Sequence, residues 1–375
     1  MKKLIAVLLV SVSVMACSGN NEQKPTGNVN ADQMPVKNVI FLIGDGMGLA
    51  QVSKAMQTRD EPLNLEKANY VGLMKTSSSK EVITDSAAGA TAFSIGVKTV
   101  NGAIGLDGNG HSKKTLLEML AADGYSTGLI ATSGITHATP ASFYAHVESR
   151  EDYYSIAQAL VNAPVNLFIG GGEDHFDKRN NEKRGKPDDR NLVKEMEDKG
   201  VTLINNLGAL ENATGRVGYF IAGEHPESII KGRGDYLPKS IKPSIDFLQK
   251  ETKKGFFLVV EGSQIDWGGH ANDLNYTMTE LYDFDKAVGA AMKFAEKDGN
   301  TLVLITADHE TGGLTLPTSD IESDEPYSEA GHAYSSIGHT STMVPVYAYG
   351  KGAEKFTGVY ENTAIYHKLL SVLGK

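Results

Sequence analysis

The stretch Asn38-Val39-Ile40-Phe41-Leu42-Ile43-Gly44-Asp45-Gly46 decides the fold class. Its apolar residues run without alternation, so it reads as a strand buried on both faces, as strands of parallel sheets are. Turn formers and one carboxylate end it. Four further runs repeat the pattern: Tyr125–Ala131, Phe256–Val260, Thr301–Thr306 and Val344–Tyr349. Between the strands the apolar spacing is helical, at Ser86–Ser94, Lys114–Ala122, Asp152–Leu160, Ile241–Lys250, Leu274–Ala295 and Thr363–Leu373. This alternation predicts an α/β fold, a three-layer sandwich with a mainly parallel central sheet and helices on both faces. No internal repeat is present, and no linker follows residue 36, so residues 37–375 read as one domain. The more polar stretch 171–240 reads as an inserted, more variable elaboration within it.

A chain of 375 residues can bury a sizeable core. Its 22% charged and 41% apolar content excludes a disordered chain and a bundle of membrane helices. The net charge of −10 argues against a nucleic-acid-binding surface. The lone cysteine, Cys17, excludes an intramolecular disulfide and a Cys-rich zinc site. Any metal must therefore be held by His, Asp and Glu. Forty glycines point to tight turns near function.

Lys2 and Lys3 precede an apolar run, Leu4 to Met15, too short to span a bilayer as a mature helix. Residues 1–16 read as a signal peptide. Val14-Met15-Ala16-Cys17 resembles the bacterial lipobox, in which the cysteine is lipidated and becomes the new N-terminus. Residues 17–36, rich in Asn, Gln, Gly and Pro, read as a flexible tether. The expected arrangement is a domain in the cell envelope, on the periplasmic side of a bacterial membrane through lipid at Cys17, or exported. Loss of Lys2 and Lys3 takes the formal charge from −10 to −12.

The residues at the carboxyl ends of these strands carry the chemistry. Asn38–Ile43 delivers Asp45, and Tyr125–Ala131 leads to Thr136-His137-Ala138-Thr139. Phe256–Val260 ends at Glu261, and Thr301–Thr306 at Asp308-His309. One acidic residue after a strand is ordinarily a cap or a turn former. Four polar termini at one sheet edge, flanked by glycines, point instead to a ligand site, because open α/β sheets bind at that edge. Asp266-Trp267-Gly268-Gly269-His270 sets a carboxylate and an imidazole four apart, although the two glycines favour a loop. His339 lies just before the last strand. Oxygen and nitrogen donors of this kind suit zinc. His111, His146, His175, His225, His332 and His367 read as ordinary histidines outside the site.

Asp85-Ser86-Ala87-Ala88-Gly89-Ala90-Thr91-Ala92 opens a helix of small residues. Ser86 is either an N-cap beside Asp85 or a nucleophile, since a helix N-terminus favours an anion.

Together these segments resemble the alkaline phosphatase family. The matching stretches are Gly44-Asp45-Gly46-Met47-Gly48, Thr84-Asp85-Ser86-Ala87-Ala88-Gly89-Ala90, Thr136-His137-Ala138-Thr139-Pro140, Glu261-Gly262-Ser263-Gln264-Ile265-Asp266-Trp267-Gly268-Gly269-His270, Thr306-Ala307-Asp308-His309-Glu310-Thr311-Gly312-Gly313 and Gly338-His339-Thr340. They span nearly the whole domain. The resemblance implies hydrolysis of phosphate monoesters through a covalent phosphoserine at Ser86, with Arg150 gripping phosphate. It implies one zinc on Asp266, His270 and His339, and a second on Asp45, Asp308 and His309, joined by Ser86 in the free enzyme. It implies a third metal, usually magnesium, on Asp45, Thr139 and Glu261. Dimerisation, common in the family, is a further implication.

Two positions depart from the common pattern. His137 stands where some members have aspartate, so the third site could accept zinc or cobalt. Trp267 stands where others carry Lys or His, so bound phosphate is expected to be held less tightly, unless the indole only packs the pocket wall. His137 and Trp267 are thus also candidate phosphate-site residues. A phosphodiesterase, sulfatase or phosphomutase would share the metal ligands but not the Ser86–Arg150 pairing. A noncatalytic phosphate-binding lipoprotein would need no nucleophile.

Overall fold

The computed structural model describes residues 35–317 and 331–375; the leader, Cys17 and the tether through residue 34 lie outside the described residues. Its strands are β1 (Asn38–Gly44), β2 (Tyr70–Lys75), β3 (Ser126–Gly134), β4 (Leu167–Gly171), β5 (Val201–Leu203), β6 (Arg216–Phe220), β7 (Phe256–Gly262) and β8 (Thr301–Thr306), the two-residue β9 (Glu310–Thr311), β10 (Leu314–Thr315), β11 (Ala333–Tyr334) and β12 (His339–Thr340), then β13 (Val344–Gly350) and β14 (Gly358–Glu361). Ten of them form one sheet in the order β14-β2-β13-β8-β1-β7-β3-β4-β6-β5. Every pairing is parallel except those of β13, which runs antiparallel to β8 and β2.

The run that decided the fold class lies at the centre. Every residue of β1, β7 and β8 is buried, as expected of strands covered on both faces. Helices cover the sheet, and the long helix Leu274–Asp298 packs on β8, β7 and β1. Register sets the edge where chemistry sits. Ile43 pairs with Glu261 and with Thr306, so Asp45, Glu261 and Asp308 leave three adjacent strands at one level.

Three departures from the sequence reading have physical causes. Gln264–His270 is a helix, not a loop. Its glycines serve packing: a Cβ at Gly268 would lie 2.5 Å from the Thr277 amide nitrogen, and one at Gly269 would lie 2.9 Å from the Thr311 carbonyl. The polar stretch 171–240 extends the sheet itself through β5 and β6. Val36 is already buried, and its N–H donates to the Val372 carbonyl at 2.8 Å. Among the described residues no helix is long and apolar enough to cross a membrane.

Candidate active site

Asp45 follows β1 and is completely buried, with its N–H donating to the Gly262 carbonyl at 3.1 Å. Neither of its carboxylate oxygens has a hydrogen-bond partner among the described residues. Gly46 makes the turn at φ +71°, and a Cβ there would lie 2.7 Å from Asp266 Cα. Only glycine combines that backbone with that approach. Asp308 follows β8; its Oδ1 accepts from the amides of Gly46 and His309, and its Oδ2 is unpartnered. His309 Nε2 lies 3.4 Å from Asp45 Oδ1, 3.3 Å from Asp308 Oδ2 and 3.2 Å from Ser86 Oγ.

Ser86 is the first residue of the helix Ser86–Ile95, whose cap Asp85 accepts from the Ala88 amide at 2.9 Å. Gly89 lets this helix approach closely, since a Cβ there would sit 3.1 Å from Asp308 Cβ. Arg150 arrives from a separate loop. Its Nη1 donates to Asp85 Oδ2 at 3.1 Å, and its Nη2 to His137 Nε2 at 3.3 Å.

A second group forms around the helix Gln264–His270. Asp266 Oδ2 is 3.4 Å from His270 Nε2, and its Oδ1 is 3.5 Å from His339 Nε2. The two imidazole Nε2 atoms are 3.2 Å apart. Their other nitrogens are held by backbone carbonyls, His270 Nδ1 by Ile337 at 2.6 Å and His339 Nδ1 by Thr84 at 2.9 Å. Such bonds fix which ring nitrogen faces a ligand. The pairing of β12 with β9 ties His339 to the strand after Asp308-His309. At the third position Glu261 Oε2 accepts from Ser263 at 2.6 Å and Ser133 at 3.3 Å, while Glu261 Oε1 and Thr139 Oγ1 are unpartnered.

Electrostatics says what such an arrangement needs. Burial raises Asp45 well above the ordinary carboxylate range, and the charges of Asp308, Asp266 and Glu261 add to it. Burial raises Asp308 to about 6, with Asp266 adding to it, and Glu261 to about 7. Asp266 goes the other way despite its burial, drawn down by His270, whose bond to Asp266 raises the imidazole to about 9. Burial keeps His309 and His137 neutral. Four buried carboxylates at one point are costly without cations. Donor atoms gather within 4.8 Å of one another in three groups: Asp266, His309 and His339; Asp45, Asp308 and His309; Asp45, His137 and Glu261. The unpartnered oxygens of Asp45, Asp308, Glu261 and Thr139 thus fit divalent ions held by nitrogen and oxygen. This grouping places His137 beside the third position, and His309 near the first as well as the second.

This set decides the identity: a helix-start serine against His309, three donor groups and an arginine at the cap. The family model described as alkaline phosphatase matches residues 36–337. The chain belongs to the alkaline phosphatase family. It is similar to alkaline phosphatase 3 of Bacillus subtilis (34% identity, 99% of this chain and 97% of that protein) and to the alkaline phosphatase of Escherichia coli (30%, 91% and 86%). The structure of alkaline phosphatase from the Antarctic bacterium TAB5 superposes with a TM-score of 0.84 at 42% identity, covering 91% of this chain and 98% of that one. A TAB5 variant with a histidine replaced by aspartate was solved with Mg bound in its M3 site. This alkaline phosphatase is accordingly a phosphoric monoester hydrolase.

The alkaline phosphatase site contains a residue that the sequence left aside. His225, from the polar stretch, stands 5.0 Å from the Trp267 ring and 5.8 Å from that of His137, between ring centroids. A cavity of about 300 Å³ lies at the opposite, amino-terminal edge of the sheet, by Ser126 and Arg216. The guanidinium there is spent on the carbonyls of Val165, Val161 and Leu160.

Proposed function

We propose that Ser86 is the nucleophile of this phosphatase and Arg150 the group that holds the transferring phosphate. The observation that carries the reading is Ser86 Oγ at 3.2 Å from His309 Nε2, at the start of a helix whose cap also anchors Arg150. Ser86 Oγ attacks phosphorus while the ester bond to the alcohol breaks. Water then attacks the phosphoserine, the Oγ–phosphorus bond breaks, and inorganic phosphate leaves. The helix N-terminus favours the anion, and the guanidinium fork binds two of its oxygens. Most of the catalysis is positioning and charge stabilisation.

Two zinc ions fit the donors Asp266, His270, His339 and Asp45, Asp308, His309, with Ser86 joining the second set. A magnesium ion fits Asp45, Glu261 and Thr139. When bound, the ions supply charge stabilisation and lower the pKa of hydroxyl and water oxygens. His137 within reach of the third group makes zinc or cobalt acceptable there. The TAB5 variant with magnesium bound after a histidine was exchanged for aspartate agrees with that balance.

Metal analysis together with p-nitrophenyl phosphate hydrolysis tests the reading. Ser86→Ala and His270→Ala should each lose most turnover. Activity that survives both substitutions and chelation would sink it. The lipobox-like Val14-Met15-Ala16-Cys17 supports lipid attachment at Cys17 and an envelope location. Cys17→Ala should release the enzyme from membranes. Family precedent supports a homodimer, which sedimentation would establish.

A further inference from the structure

The segment around Glu224-His225-Pro226 is built to reach the catalytic edge. Two strand-end glycines make room for it: a Cβ at Gly171 would meet the Glu224 carbonyl at 2.2 Å, and one at Gly134 would stand 3.5 Å from His225 Nδ1. The segment is fastened to the helix that carries Asp266, Trp267 and His270. Gln264 Nε2 donates to the Pro226 carbonyl at 2.9 Å and to the Thr132 carbonyl at 2.8 Å. Behind it, Ile229 N–H donates to Glu280, and Arg233 forms a buried ion pair with Glu280 and Asp283.

His225 itself is oriented by one bond. Its Nδ1 accepts from the Gly134 amide at 2.9 Å, which leaves the proton on Nε2. The ring then stands edge-on, at 73° to Trp267 and 87° to His137. Those two rings also meet edge-on, 6.1 Å apart. His137 in turn accepts from Arg150.

We propose that His225 is a positioning residue of the phosphate site. It closes a three-ring cluster that fixes Trp267 and His137 and, through His137, orients the Arg150 guanidinium. This role rests on Arg150 being the phosphate-binding group of the proposed mechanism. Edge-to-face aromatic contacts have the geometry and energy to hold rings in this way.

Trp267 is the only tryptophan in the chain, so its fluorescence reports this cluster alone. Inorganic phosphate is the probe, read as its inhibition constant in p-nitrophenyl phosphate hydrolysis. In His225→Ala that constant should rise by about threefold to tenfold, the size of one aromatic contact. Trp267 should gain local mobility in time-resolved anisotropy. His225→Phe, which keeps a ring, should restore both readouts. If the alanine variant fails to fold, His225→Gln replaces it. That variant can still accept from Gly134 but has no ring, and the same rise is expected. Unchanged phosphate inhibition and anisotropy in a folded, ring-less variant overturn the proposal. If Ser86→Ala at the same time abolishes turnover, the positioning role alone has failed and the site reading stands.

Discussion

Arg150 is tied to Asp85, and Asp85 caps the helix that begins with Ser86, the proposed nucleophile. One carboxylate oxygen accepts from the Ala88 amide; the other accepts from the Gly102 amide and from Arg150 Nη1. Ser86 and Arg150, the attacking and phosphate-binding groups of the proposed mechanism, are therefore positioned by one side chain. Asp85→Ala should cost about 0.5–2 kcal/mol of stability as a lost cap. It should also raise the phosphate inhibition constant, because Arg150 loses its anchor. Thermal melting and inhibition measured on one preparation separate the two effects. A variant that melts earlier but binds phosphate normally would show that Asp85 is only a cap.

Arg150→Lys keeps the charge and loses the fork. A lysine is a point donor on a flexible stem and cannot bind two phosphate oxygens in a plane while bonding Asp85 and His137. The loss expected is about 1.5–3 kcal/mol, or roughly tenfold to a hundredfold in kcat/KM, the range for charged hydrogen bonds. Equal kcat/KM in the lysine variant would rule out the bidentate role.

Chelation should lower stability as well as activity. The carboxylates of Asp45, Asp308 and Glu261 are buried and push one another up. Ions that bind only the folded chain stabilise it by about 2.7 kcal/mol at a hundredfold excess over Kd. Calorimetry with and without chelator should show a melting point lower by several degrees, restored by zinc with magnesium. An unchanged melting point would mean that these donors do not hold ions.

The pair His146–Glu118 should make stability depend on pH away from the site. The Glu118 bond raises His146 above its ordinary 6.5, against burial. Burial pushes Glu118 up, but the bonds from His146 and the Thr115 amide win, and it lies below 4.5. The histidine's contribution is complete below pH 6.5 and fades as pH rises through its folded value. The glutamate's is complete above pH 4.5 and fades as pH falls through its own. The pair therefore contributes most between pH 4.5 and 6.5. His146→Asn can still donate to the Gly105 carbonyl in place of Nδ1. The melting difference from wild type should be largest near pH 5.5, about 1 kcal/mol or less, and shrink toward pH 9. A difference independent of pH would refute the ion pair.

The central strands were legible in the sequence because burial on both faces writes a continuous apolar run, as in Val39–Ile43 and Leu302–Ile305. β2 was not, since its residues Tyr70 and Val71 are exposed and Gly72 interrupts the run. The donors Asp45, Glu261 and Asp308 could be found because each follows such a run. His225 could not. It comes after β6, whose Arg216, Tyr219 and Phe220 are only half-buried and whose run is interrupted by Gly218, so no continuous apolar run announces it. The tertiary approach past Gly134 and Gly171 brings it to Trp267. The helix Gln264–His270 was hidden for a related reason. Its paired glycines answer to Thr277 and Thr311 across the fold, not to local propensity.

The segment that carries His225 is held from behind by charge. Arg233 Nη2 lies 2.6 Å from Glu280 Oε2 and 3.0 Å from Asp283 Oδ2, and all three side chains are nearly inaccessible. Its guanidinium also stands over the Tyr236 ring. Arg233→Met would leave two carboxylates buried without a cation, which should cost about 3–5 kcal/mol. Glu280 also accepts from the Ile229 amide, so Glu280→Gln can keep that acceptor while losing the charge. Combining Arg233→Met with Glu280→Gln and Asp283→Asn removes every charge at once and should recover most of the stability. Chemical denaturation of both variants measures the difference. The single variant should also raise the phosphate inhibition constant, because the loop that fixes His225 loosens, and the triple variant should bring it back toward wild type. A triple variant no more stable than the single one would show that the arginine contributes packing and not charge.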